Sequence, residues 1–489
     1  MTQSHRRLAV TVACVAGLLI GQAATPAGAA TPTATIAVNA SAGLGTLNNA
    51  SRYTNDTRSG FLQAPLSTGE RDQVKNQFHT NTTRQFLDMG EIYDVDTGSY
   101  DLSLYDPYLT EASSFSDRLL LCTTSLWATG GPYTTPKGTL ATPAVYGQVL
   151  TTALRDYKQR FPKIEYIEPW NEPNHPDHGA ITAAQHYEYY KVAYAAVNTV
   201  NAELNPAVPL KVGGPATAGF NVDFVTDFLD LYKADTNPAK RMDFVSYHDY
   251  SLLNNPAGAA GQKSRVSTWL SDKGLNPATP VFVTEYGLYA GAATGTVTGT
   301  PAEDLRHDQL VQAAGMAAAG SYYMLSGMDA PFQWSLRHKT NDRKDMFVDG
   351  VDGVRTPYGH MVAMQAMLRT ARVSSTVSPA ADSQGVGLGA LATSDSSGVA
   401  VMYWNYQAEA GAVAHNAQVT VTNLPASFAG KRIRIQRYLV DATHSDYPND
   451  ATQTSLQLVE DLTVSGTQVT RTPGLQPNAV GLMVLTPVP

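Results

Sequence analysis

The sequence predicts an α/β fold, a (β/α)8 TIM barrel followed by a C-terminal β-sandwich domain. Three observations carry this expectation. From about residue 70 to 372, amphipathic helical stretches alternate with short apolar runs that end in polar residues, the pattern of a parallel sheet with helical crossovers. After Val373 the helical pattern stops, and strand-like segments separated by Gly, Asn, Pro and Asp turns take over. The 489 residues are enough for a barrel of about 250 residues or more plus a smaller domain.

The chain opens with His5-Arg6-Arg7, then an apolar stretch from Leu8 to Ile20 too short to span a bilayer, then the small residues Ala27-Gly28-Ala29. This pattern predicts a secretory signal over residues 1–29 and an extracellular mature chain from about Ala30, whether the adjacent arginines mark a twin-arginine signal or an ordinary basic start. Loss of Arg6 and Arg7 takes the formal net charge from −8 to −10, which argues against nucleic acid as a partner. Beyond the signal no apolar run is long enough for a membrane span, so no membrane partner is expected. Cys14 falls in the signal, leaving Cys122 alone and unable to form an intrachain disulfide. Its setting in Leu119-Leu120-Leu121-Cys122 reads as a buried structural thiol.

Residues 30–372 are assigned to the barrel and 373–489 to the sandwich, with Thr33 to Asn39 a strand that could join the latter. The barrel strands are expected near Gly43 to Leu47, then at Thr83 to Met89, Arg118 to Thr123, Ile164 to Glu168, Leu210 to Gly213, Met242 to Ser246, Pro280 to Thr284 and Ser321 to Phe332. Helices are expected at Val145 to Arg160, Ala183 to Leu204, Asn221 to Tyr232, Asp304 to Ala319 and Gly359 to Ala371. In the tail, Gly398 to Tyr406, Ala417 to Val421, Arg432 to Leu439 and Val480 to Leu485 read as strands, and their aromatic residues Tyr403, Trp404, Tyr406 and Tyr438 as core. No low-complexity linker separates the domains, so they are expected to pack together.

Two strand ends carry the chemistry. In Ile164-Glu165-Tyr166-Ile167-Glu168-Pro169-Trp170-Asn171-Glu172-Pro173-Asn174, an apolar strand runs into a carboxylate placed beside an indole and an amide. The C-terminal end of a barrel strand is where such enzymes hold their active sites. An aromatic wall disfavours an ionised carboxylate, so Glu172 is expected to have the raised pKa of a general acid. Asn171 is placed to bind a sugar hydroxyl. In Val281-Phe282-Val283-Thr284-Glu285-Tyr286-Gly287, a second strand ends in a carboxylate, and Tyr286 or a neighbouring tyrosine is expected to keep Glu285 ionised as a nucleophile. Two carboxylates on one barrel face can approach to about 5–5.5 Å, the spacing for a covalent glycosyl-enzyme.

These residues resemble clan A of the glycoside hydrolases, in which Asn-Glu ends strand four and the nucleophile ends strand seven. Lys211-Val212-Gly213-Gly214-Pro215-Ala216 and Phe244-Val245-Ser246-Tyr247-His248-Asp249-Tyr250 fall between them in the right order and are similar to family 39, which contains β-xylosidases and α-L-iduronidases. The resemblance implies Glu172 as acid/base, Glu285 as nucleophile, retention of configuration, no cofactor, and a polysaccharide or oligosaccharide substrate. By analogy with that family, the expected activity is exo-acting on pentose-containing plant glycans, of a β-xylosidase or arabinose-releasing type. The alternatives are an endo-acting, disaccharide-, uronide- or galactose-releasing enzyme, and a carbohydrate-binding protein on an inactive barrel.

Further candidates follow from strand position. Arg84 on strand two is placed to orient Glu285, as a strand-two arginine does in the clan, or else is structural. His248, ending strand six, would bind a sugar hydroxyl or contact the nucleophile. Tyr250 and Trp127 follow the same reasoning. Trp334 is expected as a stacking platform after strand eight. His175-Pro176-Asp177-His178 has metal-capable side chains, but no third ligand group stands out, so it reads as a loop beside the site and no metal is expected. Gly291 to Thr300 reads as a connection or a loop over the site. The sequence carries no signal for an oligomeric state.

Overall fold

The computed structural model describes residues 31–291, 308–338, 342–408 and 413–489. The expected signal, nearly all of the 291–300 loop and the start of the Asp304 helix lie outside these residues.

Eight parallel strands close into a barrel in chain order: Tyr53–Asp56, Thr82–Leu87, Arg118–Thr123, Ile164–Pro169, Lys211–Thr217, Phe244–Asp249, Val281–Tyr286 and Ala330–Gln333. Closure is made by Gln333 of the eighth strand against Thr54 of the first. Each strand is followed by a helix: Thr68–Asn76, Asp106–Phe115, Pro143–Arg160, Ala183–Leu204, Val222–Ala234, Gln262–Asp272, Gln309–Ser326 and Pro357–Ala366. Their starts are encoded locally. Ser67 and Thr182 each form a capping box, with Glu70 and Gln185 returning the bond, and Thr142 caps a helix that has Pro143 in its first turn.

Three expectations are corrected. Gly43 to Leu47 is not a barrel strand; most of it is the end of Thr33–Thr46, which runs in the second domain. The true first strand is Tyr-Thr-Asn-Asp, four residues with too much polarity to register as a strand, because Asn55 and Asp56 are buried to hold arginines. Ser321 to Phe332 is the end of a helix and a short strand, separated at Gly327, whose φ of 72° supplies the left-handed cap. That helix is buried nearly all round, so it lacks the amphipathic period that identifies a surface helix. The last barrel helix ends at Ala366, and Ala371 already begins a strand.

Inside the barrel, Leu120, Cys122, Phe244, Phe282, Ala330 and Phe332 form an apolar plug, joined by Phe86 and Tyr166. Above it, Arg84, Glu168, His248 and Glu285 form a buried charged layer at the C-terminal strand ends. The plug makes this layer the floor of a cleft closed from below.

The second domain is one hydrogen-bonded sheet. From one edge it runs Gln457–Val464, Arg432–Val440, Val480–Val488, Gly398–Tyr406, Gly387–Asp395, Ala371–Ser378, Thr33–Thr46, His415–Thr422 and Val469–Arg471. Val419 near one edge and Ile433 and Ile435 near the other share a single core, so the sheet curls into two layers. Thr33–Thr46 joins it, antiparallel to Ala371–Ser378 and parallel to His415–Thr422. Gly398–Tyr406 is buried throughout because both its faces are used. Val399, Val401 and Tyr403 enter the sandwich core, while Ala400, Met402, Trp404 and Tyr406 pack with the barrel's outer residues.

Candidate active site

The fourth barrel strand ends at Pro169, and the chain then makes a sharp reversal. Trp170 and Glu172 lie in the left-handed region, with φ of 73° and 47°, as does Ala216 opposite them at 52°. Each such non-glycine residue costs about 1–3 kcal/mol and persists only where the surroundings fix it. Here the anchor is Trp170. Its ring is fully buried, 4.6 Å from that of Tyr189 and 5.8 Å from that of Tyr146, and its Nε1 donates to the His178 carbonyl at 2.7 Å. The Glu172 N–H donates to the Ala216 carbonyl at 2.9 Å. The indole therefore holds the loop from behind and is not the wall expected beside the carboxylate.

Glu285, almost wholly buried, is gripped at both oxygens. Arg84 Nη1 donates to Oε1 at 2.6 Å and Tyr250 Oη donates to Oε2 at 2.7 Å. Arg84 serves five further partners: Nε donates to Glu168 Oε2 at 2.8 Å, Nη2 to Asn171 Oδ1 at 2.8 Å and to Cys122 Sγ at 3.0 Å, Nη1 to Asn55 Oδ1 at 3.2 Å, and Nη2 also lies 3.4 Å from His248 Nε2. Binding Oδ1 this way turns the Asn171 amide nitrogen towards His178 Nε2, 3.3 Å away at the cleft wall. Glu168 balances the second half of the guanidinium. Its carboxyl is pushed up by burial but pulled below its ordinary value by Arg84, with His248, Ser246 and Thr284 adding to the pull.

Glu172 faces Glu285, and His248 sits between them. The His248 Nδ1 is 2.8 Å from Glu172 Oε1 and 3.5 Å from Glu285 Oε2. One ligand-bearing atom from each of the three lies within 4.8 Å of the other two. This is the close carboxylate pairing of retention, not the gap of about 6.5–9.5 Å that seats an attacking water. Burial pushes the Glu172 carboxyl up, but the hydrogen bond from His248 and the charges of His248, His178 and His175 bring it down to about 2. The expected raised value is thus reversed in the free protein, because a basic partner replaces the aromatic wall. Burial lowers His248, yet Glu285 and Glu172 outweigh it and raise the imidazole above its ordinary value. For Tyr250, burial and the Glu285 charge push the phenol well up, so it remains a donor.

The cleft has a volume of about 1680 Å³, more than one sugar ring requires. Asn171, Glu172, Tyr250, Glu285, Trp127 and Trp334 all line it. Trp127 stands on a small hairpin of Trp127–Thr129 and Thr139–Leu140. Trp334 lies edge-on to Tyr250, with centroids 6.0 Å apart. Arg84 and His248 lie beneath, fully buried. Tyr286 is the candidate that the structure separates from the site. The strand turns it outward, where it packs on Tyr323 at 4.8 Å, and the donor to Glu285 is Tyr250.

Sequence reading did not assign roles to Glu168, Asn55 or His178. Glu168 shares a strand face with Tyr166, which enters the barrel, and a carboxylate buried there needs a cation.

Residues 126–267, which include Glu172 and His248, match the family described as Glycosyl hydrolases family 39. No curated protein matches the chain. Among solved structures, the chain is similar to the GH39 enzyme from Xanthomonas axonopodis pv. citri (19% identity, 95% of this chain and 100% of that one, TM-score 0.69). It is also similar to a glucosidase from Croceicoccus marinus (19% identity, 94% and 100%, TM-score 0.67). A monomeric beta-xylosidase from Caulobacter crescentus CB15 shows the same barrel-and-sheet fold (18% identity, 93% and 100%, TM-score 0.65). The protein is a glycoside hydrolase, similar to the retaining enzymes of clan A. The similarity to family 39 lies in residues 126–267 and in the fold of the GH39 enzyme.

Proposed function

We propose that the chain is a secreted, exo-acting glycosidase on pentose-containing plant oligosaccharides or polysaccharides, with Glu172 as acid/base and Glu285 as nucleophile. The observation that carries the two roles is the asymmetry of the pair. Glu285 is held at both oxygens by fixed donors, Arg84 and Tyr250, as an ionised nucleophile requires, whereas Glu172 shares a single hydrogen bond with a histidine that can give it a proton.

In the first step Glu285 attacks the anomeric carbon while the proton held between His248 and Glu172 passes to the glycosidic oxygen from Glu172. In the free protein the lowered Glu172 carboxyl and the raised His248 imidazole favour the proton on the His248 side of their 2.8 Å contact. Substrate that displaces water from Glu172 removes the solvation favouring its charge and moves the proton across. Formation of the glycosyl-enzyme bond neutralises Glu285, and its departure restores the charge that Arg84 and Tyr250 hold. Glu172 then takes a proton from the water that attacks the anomeric carbon.

The pentose preference rests on the beta-xylosidase among the similar structures and on the notion that such specificity follows the fold, which is analogy. The secretory route rests on the basic, apolar and small-residue pattern of residues 1–29. A second reading, uronide release, is favoured by Lys344. It lines the cleft with its Nζ 5.4 Å from the ring centroid of Tyr250, the side chain that contacts Glu285, where a uronate carboxylate would meet a cation.

The test is hydrolysis by the purified mature chain of nitrophenyl pentosides, hexosides and uronides, alongside arabinoxylan, arabinan and arabinogalactan. Release of a pentose supports the proposal. Preference for a uronide selects the second reading, activity on polymers alone makes the enzyme endo-acting or disaccharide-releasing, and inactivity on all would count against catalysis.

A further inference from the structure

His175 and His178 read as a loop without a third metal ligand, but the fold supplies one. Glu172, three residues before His175, brings its carboxylate to the same point, completing the spacing Glu-x-x-His-x-x-His. One ligand-bearing atom from each of these side chains lies within 4.8 Å of the other two. We propose that Glu172, His175 and His178 form a binding site for zinc or a similar divalent transition ion, and that the bound ion reversibly inhibits the enzyme. The inhibition rests on the reading of Glu172 as acid/base; the site does not.

The chemistry of the three groups fits. Two imidazoles and one carboxylate with a fourth position left to water is an established donor set for zinc. Bonds of about 2.0–2.2 Å place tetrahedral ligand atoms roughly 3.3–3.5 Å apart, so the trio needs to close by little more than about 1 Å. His178 Nε2 already lies 3.7 Å from Glu172 Oε2. The side chain of His175 is 43% exposed, and turning inward costs it only the 3.3 Å bond that its Nδ1 accepts from the Asp177 N–H.

The backbone that carries the ligands is tied down. The His175 N–H donates to the Glu172 carbonyl at 2.8 Å, and the His178 N–H to the His175 carbonyl at 3.1 Å. Ile181 N–H binds the Pro173 carbonyl at 2.8 Å, and Trp170 Nε1 binds the His178 carbonyl. Little ordering is therefore left for the ion to impose.

The two oxygens of Glu172 divide the consequences. His248 contacts Oε1, and His178 lies against Oε2. An ion held on Oε2 keeps Glu172 a carboxylate and prevents it from carrying the proton the leaving group needs, while the His248 bond is undisturbed. A second trio, Glu172, His248 and Glu285, lies within the same distance limit, but His248 and Glu285 are buried and His248 Nδ1 is already hydrogen-bonded to Glu172.

The test is titration of the mature wild-type chain with zinc by calorimetry, and with cobalt by visible absorption, repeated with His175→Gln and His178→Gln. The proposal expects one ion per chain and a loss of affinity of at least about tenfold in each variant. It also expects zinc to inhibit hydrolysis of a nitrophenyl glycoside over the same concentration range, with recovery on adding a chelator. Absence of binding, or binding unchanged in both variants, overturns the site. Binding that needs both histidines while hydrolysis continues undiminished leaves the site standing and overturns the acid/base reading of Glu172. Unchanged thermal melting of the ion-free variants shows that lost affinity is not lost folding.

Discussion

Arg84 on the second barrel strand and Glu285 on the seventh meet at 2.6 Å, and the same guanidinium holds Glu168 at 2.8 Å from its other edge. One fully buried cation is thus shared by two buried carboxylates, and only one of those carboxylates faces the cleft. Glu168 sets the position of Arg84, and Arg84 sets the position of Glu285.

Replacing Arg84 with Met is expected to leave two carboxylates buried without their counter-charge, at a stability cost of about 3–5 kcal/mol. The double change Arg84→Met with Glu168→Met should recover part of that loss without recovering turnover, because Glu285 still lacks its donor. Urea unfolding of the single and double variants measures the first, and kcat the second.

Tyr250→Phe removes the 2.7 Å bond to Glu285 Oε2 and nothing else on that carboxylate. A hydrogen bond to a charged group contributes about 1.5–3 kcal/mol, so kcat should fall about 10–100-fold with melting temperature nearly unchanged. Tyr286→Phe, by contrast, should leave kcat close to wild type, since its hydroxyl lies on the outer side of the barrel against Tyr323.

That contrast shows how much was legible. The pattern of apolar runs ending in Glu172 and Glu285 is enough to identify the barrel and the carboxylate pair, because strand ends on one face of a barrel converge whatever lies between them. The donor to Glu285 is less visible. Tyr286 is adjacent in sequence, but alternation turns it away, and Tyr250 arrives from the neighbouring strand's loop. The first strand was missed because Asn55 and Asp56 are buried to serve Arg84 and Arg58, which removes the apolar signal that marks a strand. Glu172 shows the same limit in its electrostatics. Trp170 predicts an aromatic wall, but its left-handed backbone swings the indole behind the loop, and His248 takes the place beside the carboxylate.

His248→Asn is expected to shift the pH profile. The wild-type imidazole is raised above its ordinary value, and Glu172 is lowered to about 2, so the pair keeps a shared proton until pH rises through the His248 value. Without His248 the proton depends on Glu172 alone, which loses the pull of His248 but keeps that of His178 and His175, and an ordinary carboxyl titrates below an ordinary imidazole. The alkaline limb of kcat/KM should move to lower pH. A limb that stays in place would show that His248 does not hold the proton.

Acid stability should report on His186. It is wholly buried against Phe224 and Phe228, and burial lowers its pKa to about 4 from 6.5 despite its contact with the Pro169 carbonyl. Between these values the unfolded chain binds a proton that the folded chain does not, so stability falls as pH drops through that window, by about 1.4 kcal/mol per pH unit, and levels off for this group below about 4. In His186→Gln the difference in melting temperature between pH 6.5 and pH 4 should be smaller than in the wild type. An equal difference would place the acid sensitivity elsewhere, as at the similarly lowered His360.

The most direct measurement of the two carboxylate roles is azide rescue of Glu285→Ala and Glu172→Ala on a glycoside with a good leaving group. The account predicts that Glu285→Ala is inactive until azide is added and then forms a glycosyl azide of inverted configuration, while Glu172→Ala retains activity and forms a glycosyl azide of retained configuration. The opposite pairing of variant and configuration would contradict the assignment of Glu285 as nucleophile and Glu172 as acid/base.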